Sequence, residues 1–234
     1  RGCPGDLARA ALVPHGGFCN SGFVAGRAYC RLAPGDWAVV VGNSHAGAAP
    51  CTAASSYACP LGSLSPGPAI DVPVDGRAHG AEHSIENQVP FLVARGFTRM
   101  TPLLVGAVSD AEACALGAQV AALVRRGAVL VGTTDFSHEG PAYGTGRPGE
   151  TMGQVTERTR RMDAPLLAAI QDQDIGAVRQ LAPATSMCGP GSLAVLLHAV
   201  KALGWSRTEM LGYVVNTEIT PCDSTTGFAA ALFT

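Results

Sequence analysis

Short aliphatic runs punctuate this chain, and each gives way to glycine and polar residues. Ala128-Val129-Leu130-Val131 follows Gly127 and runs into Gly132-Thr133-Thr134-Asp135-Phe136-Ser137-His138-Glu139-Gly140. Trp37-Ala38-Val39-Val40-Val41 runs into Gly42-Asn43-Ser44-His45-Ala46-Gly47, and residues 7–13 run into Pro14-His15-Gly16-Gly17. Continuous apolar runs of this length between turn residues suit buried strands. Residues 101–105 read as a further buried strand, and residues 210–216 and 227–233 as two closing strands.

Helical spacing fills the intervals. Residues 20–29 are rich in small side chains and read as a helix, and residues 81–95 as a helix broken or started late at Pro90. Ser109 and Glu112 have the form of a capping box, and Leu116, Val120, Leu123 and Val124 follow at helical spacing. A charged helix spans 152–170 with Pro165 as kink or boundary, and a short one spans 175–181. Pro190 opens an amphipathic helix whose face is Leu193, Leu196, Leu197, Val200 and Leu203, with Gly204 as its stop. Residues 48–80 are rich in Ala, Ser, Pro and Gly and predict irregular structure, with a hairpin around 70–74. Strands alternate with helices and no repeat or linker interrupts them. The pattern predicts one α/β domain over residues 1–234.

Composition narrows the function. Hydrophobic residues make up 47% of the 234 and charged ones 15%, enough apolar material for a sizeable core. A net charge of -2 with both signs scattered argues against nucleic acid as partner. No apolar run approaches the length of about 18 residues that a membrane helix needs. The eight cysteines have irregular spacing and no CxxC pair, which removes zinc-ribbon and thioredoxin readings. A cytoplasmic protein with mostly reduced thiols and no signal peptide is expected. A disulfide among Cys51, Cys59 and the N-terminal cysteines is the exception to test.

His15, His45 and His138 each follow a strand by a few residues, where α/β domains gather their chemistry. Asp135 lies near enough to His138 to share its pocket. His83 sits near a helix start in Glu82-His83-Ser84-Ile85-Glu86-Asn87. On a helix, Glu86 and Asn87 would share its face and orient its ring as a ligand. Alternatively, Glu82 and Glu86 simply complement the helix dipole. Cys188 precedes Pro190, and a helix N-terminus lowers a thiol pKa, favouring a thiolate for metal ligation or nucleophilic attack. The other reading is a buried structural cysteine, which is the reading for the other seven. His79 reads as a loop residue and His198 as a half-exposed helix residue. Two histidines and a cysteine form a reasonable three-ligand set, and such a set leaves metal positions open.

Six blocks taken together resemble one family. They are Val13-Pro14-His15-Gly16-Gly17-Phe18, Gly42-Asn43-Ser44-His45, Glu82-His83-Ser84-Ile85-Glu86, residues 102–106, Thr134-Asp135-Phe136-Ser137-His138-Glu139-Gly140, and Met187-Cys188-Gly189. In this order they resemble the Memo family, which is similar in fold to the class III extradiol (LigB-type) dioxygenases. The tail from Asp223 is similar to that family's closing strand. The resemblance implies a three-layer α/β fold with a central mixed, largely parallel sheet and a single pocket. It implies His45, His83 and Cys188 as metal ligands, with Asp135 and His138 beside them and His15 lining the same pocket. In the related dioxygenases two histidines and a glutamate hold iron(II), and Cys188 stands where the glutamate would be. The chain departs from the family's usual pattern at Phe18 and at Pro190-Gly191, which bears on the pocket's shape.

The expected function is therefore an iron(II)-dependent oxygenase acting with O2 on a small aromatic or phenolic substrate. His138 would be the acid/base, with Asp135 fixing its tautomer. Zinc and copper are the alternative ions. The alternative functions are a non-catalytic metal-binding or peptide-binding protein and a zinc hydrolase.

Overall fold

The computed structural model describes residues 5–234. Along the chain the elements are β1 (Ala10–Val13), α1 (Phe18–Tyr29), β2 (Trp37–Asn43), β3 (Tyr57–Cys59), β4 (Gly62–Pro66), α2 (Gly76–Gly80), α3 (Val89–Ala94), β5 (Arg99–Val105), α4 (Asp110–Arg125), β6 (Val129–Thr133), β7 (His138–Glu139), α5 (Met152–Gln171), α6 (Ile175–Leu181), α7 (Pro190–Ala202), β8 (Thr208–Val215) and β9 (Thr225–Phe233). The nine strands form one mixed sheet. Its centre, β4-β5-β2-β6-β1, is parallel throughout. Beyond β1 lies β9, antiparallel to it, and both β8 and β7 pair antiparallel with β9.

Period-two alternation sends side chains to opposite faces of this sheet. Leu12, Val39, Val41 and Leu130 pack against α4, α5, α6 and α7. Ala11, Val13, Val40 and Val131 pack against α1 and α3 on the other face. Two apolar clusters, one per face, make the expected three layers. Both faces of the central strands are buried, which is why their sequences run apolar without alternation.

Local signals set most boundaries. Ser109 and Glu112 close the capping box at the start of α4. Thr151 and Gln154 form a second one at α5, which continues through Pro165. Gly204, with φ +76°, follows the end of α7. Two expectations need correction. The hairpin is not at 70–74 but at β3–β4, where Gly62 supplies a φ of +146°. Val74 makes only an isolated bridge to Thr52. The helix expected over 81–95 is also divided. Residues 81–85 form turns, Glu86–Gln88 is a single 3-10 turn, and α3 begins at Val89 with Pro90 in its first turn.

The cysteines divide as well. Cys51 and Cys59 are free thiols, and Cys30 is disulfide-bonded. Cys3, one of the N-terminal cysteines considered for a disulfide, lies outside the described residues. Among the described residues no helix is long and apolar enough to cross a membrane.

Helix α7 seals one face at the strand ends. Leu196 is fully buried, and its side chain fills the space a Cβ would need on Gly132 in β6. Leu196→Ala should therefore lower unfolding free energy by about 2–5 kcal/mol in urea denaturation. A loss well under about 1 kcal/mol would show that α7 is not seated on the sheet as described.

Candidate metal centre

Because β1, β2 and β6 are parallel and in register, their carboxyl ends open on one edge of the sheet. His15 leaves β1 there, His45 leaves β2, and Thr134-Asp135 leaves β6. Helix α7 starts over the same edge. Ser192 in its first turn donates its hydroxyl to the carbonyl of Thr133 at 3.0 Å. Cys188 stands just ahead of that helix, so topology delivers four segments to one place.

The ligating atoms of His15, His45 and Cys188 all lie within 4.8 Å of one another. His15 Nε2 is 3.1 Å from Cys188 Sγ. The three imidazoles are mutually close: His15 and His45 ring centroids are 5.2 Å apart, His15 and His83 5.6 Å, and His45 stacks on His83 at 4.5 Å. One candidate set thus has His15 where the resemblance implied His83. His83 groups instead with His45 and Glu82. It is the outer ring of the stack, with a side chain 52% exposed against 1% for His15.

Glu82 organises this outer side. Its carboxylate accepts from His45 N–H at 2.7 Å, His45 Nδ1 at 2.8 Å, His83 N–H at 2.8 Å and Ser84 N–H at 2.9 Å. An ionised carboxylate only accepts, so Nδ1 of His45 carries a proton, and in the neutral ring Nε2 keeps its lone pair. Burial works to raise the Glu82 pKa, but the bonds from His45 and Ser84 hold it down to about 2. The same bond raises the His45 pKa. Glu82 thus replaces Glu86 and Asn87 as the partner of the His83 turn. Asn87 donates instead to the carbonyl of His15 at 2.8 Å. In the sequence Glu82 looked like a helix-dipole complement, because residues 81–85 read as helical.

The inner side is more buried: His15 and Asp135 are buried and Cys188 is half-buried. Burial, with the neighbouring His45 and His83, pushes the His15 pKa well below its ordinary value, keeping the ring neutral. Its Nδ1 meets Thr133 Oγ1 at 2.9 Å, leaving Nε2 toward Cys188. Burial also pushes Asp135 up to about 6. Cys188 is pushed up to about 12, by burial and then by the Asp135 charge. This corrects the expectation of a lowered thiol pKa: the half-buried thiol lies against Asp135, two residues before α7 begins. Asp135 N–H donates to Cys188 Sγ at 3.3 Å. Two acidic groups are thus raised by burial beside the neutral His15 imidazole, an arrangement a bound cation would relieve. With two imidazoles and a sulfur converging, the donor set fits a borderline or thiophilic transition metal.

His138 and Asp135 flank this set, but the expected pairing between them is replaced. Nδ1 of His138 donates to the carbonyl of Ser186 at 3.0 Å, which leaves Nε2 as the free acceptor. Asp135 Oδ1 accepts from the backbone N–H groups of His15 at 2.7 Å and Gly16 at 3.2 Å. Ser186 had no signal in the sequence. His79, read as a loop residue, is buried in α2 and hydrogen-bonded to Tyr57. His198 pairs with Asp110 at 3.1 Å, away from the site.

Fold and site together define a three-layer α/β protein with a His/Cys candidate metal site at the carboxyl ends of its parallel strands. The model of the family described as Memo-like protein matches residues 4–232. The chain is 30% identical to a MEMO1 family protein of Methanococcoides burtonii over 95% of its own length and 85% of the relative's. It is 29% identical to a MEMO1 family protein of Methanosarcina mazei, covering 95% and 84%. This chain belongs to the Memo family. An uncharacterized protein from Escherichia coli K12 superposes with a TM-score of 0.48 at 12% identity, covering 95% of this chain and 98% of that one. So loose a likeness carries no functional argument.

The Glu82 shift has a measurable consequence. Its folded pKa of about 2 lies below the ordinary 4.5. Its ionised form therefore contributes stability that is complete above about pH 4.5 and lost as the pH falls toward about 2. Glu82→Gln should lower stability at neutral pH and flatten that acid limb. An unchanged acid limb would show that Glu82 is not held by the His45 turn.

Proposed function

We propose that this chain is a metal-dependent enzyme whose ion is held by His15, His45 and Cys188, with His83 as a further donor at the rim. The observation that carries this reading is the convergence of two imidazoles and a thiol within 4.8 Å at the strand ends. Iron(II) is the ion proposed; zinc and copper also suit these donors. Three protein ligands leave open positions for ligands from solution. Once bound, the metal would supply Lewis-acid polarisation of substrate oxygens and, as iron, redox chemistry with O2.

The protein's own groups then divide the work. His45, fixed by Glu82, and His15, fixed by Thr133, present neutral nitrogens. Cys188 contributes one negative charge as a thiolate, as a glutamate would, but with a softer and stronger electron donor. His138 is the acid/base: its Nδ1 proton is committed to Ser186, so Nε2 takes or returns a substrate proton. Asp135 is a positioning group, bonded to the His15 backbone rather than to His138. The substrate proposed is a small aromatic or phenolic molecule used with O2 in the cytoplasm. The sequence resemblance to extradiol dioxygenases supports that class.

Metal analysis of protein purified without air tests this reading. Iron is expected, with metal affinity falling at least tenfold in Cys188→Ser and His15→Ala and largely kept in His83→Ala. The reverse order for His15 and His83 would restore the ligand set that the sequence resemblance implied. His138→Ala should keep the ion and lose turnover. Zinc alone, with flat O2 uptake across a panel of phenols, would sink the oxygenase assignment.

A further inference from the structure

Behind the site lies a carboxylate that the chemistry above does not use. Asp163 is on α5 and is completely buried. Burying a carboxylate without a cation is unfavourable unless hydrogen bonds compensate. Its bonds go to the site's own turn and to one strand. Oδ1 accepts from Ser137 Oγ at 2.5 Å and Ser137 N–H at 3.1 Å. Oδ2 accepts from Tyr213 Oη at 2.6 Å. Room for it is left by Gly227 on β9, where a Cβ would fall 2.3 Å from Oδ2. The backbone of the same turn is framed by β9: Phe136 N–H donates to Gly227 O, and Gly227 N–H to Ser137 O.

Ser137 lies between the two residues of the turn that matter to the centre. On one side, Asp135 bonds to Cys188 Sγ and to the His15 backbone. On the other, His138 meets Ser186. We propose that Asp163 is a positioning residue for the metal centre, acting through Ser137 to fix where Asp135, and with it the Cys188 sulfur, stands. This rests on the metal reading above. The Tyr213 bond belongs to the same carboxylate but does not reach the turn, so the two donors separate positioning from simple packing.

The test uses the full chain and cobalt(II) as probe. Outer partners of metal ligands typically contribute about 10–100-fold to affinity. Ser137→Ala should lower cobalt affinity about tenfold and weaken the thiolate-to-cobalt charge-transfer absorption. Tyr213→Phe should leave both near wild type even where its melting temperature falls. Asp163→Asn keeps an acceptor for Ser137 and should rescue what Asp163→Ala loses; if Asp163→Ala fails to fold, Ser137→Ala carries the test. A second readout needs no metal. Alkylation of Cys188 by iodoacetamide, followed by peptide mass spectrometry, should accelerate several-fold in Ser137→Ala and not in Tyr213→Phe. Unchanged affinity and alkylation in Ser137→Ala would overturn the proposal, as would equal losses in Tyr213→Phe. If the wild type itself shows no thiolate band, the metal assignment fails, and the alkylation rates still decide whether Asp163 positions the cysteine.

Discussion

The link between Asp135 and Cys188 is what the site's architecture hangs on. The Asp135 amide donates to the Cys188 sulfur, and the Asp135 carbonyl accepts from the Cys188 amide. The Asp135 carboxylate meanwhile accepts from the amides of His15 and Gly16. One residue therefore joins the end of β1, the end of β6 and the entry to α7. Hydrogen bonds to a charged acceptor contribute about 1.5–3 kcal/mol each. Burial works against that charge, and the carboxyl pKa is raised to about 6. The cost of burying this group is tied to the same bonds that bring His15 and Cys188 within reach of each other.

Around this link the site has two sides of different physical character. On the inner side His15 and Asp135 are buried and Cys188 half-buried, and loss of solvent keeps imidazole, carboxyl and thiol toward their neutral forms. On the outer side Glu82 stays ionised and holds His45 and the His83 turn from a rim that reaches solvent. His45 belongs to both. A cation entering from the rim would meet the exposed His83 and His45 rings before the half-buried Cys188. Asymmetry of this kind gives a soft donor protection from water while leaving one face open for ligands.

Most of the architecture is legible in the sequence. The runs at 37–41 and 128–131 are central strands because uninterrupted aliphatic sequence has a place only where both sheet faces are covered. The capping box at Ser109 and the stop at Gly204 follow from local chemistry; α7, expected to be amphipathic, is instead buried nearly all round, because it packs into the core between the sheet and the neighbouring helices. The errors fell where a tertiary partner overrides local preference. Residues 81–85 have helical composition, but the Glu82 side chain takes the amides of His83 and Ser84 and holds a turn instead. The β3–β4 hairpin carries little sequence signal because it rests on one buried side chain, Leu64, and one glycine of positive φ.

The family, the α/β class and the short list of chemically able residues (His15, His45, His83, Asp135, His138 and Cys188) are all written in local sequence. Each follows a strand or precedes a helix, and that grammar is local. Which of them stand together was decided only by the tertiary structure, because it depends on strand order. Residues 15, 45 and 188 are far apart along the chain and meet because β1 and β2 both flank β6, over whose end α7 begins. The partners were equally invisible. Ser186 for His138, Glu82 for His45 and Asp163 for Ser137 are hydrogen bonds between segments, and no spacing in the sequence encodes them.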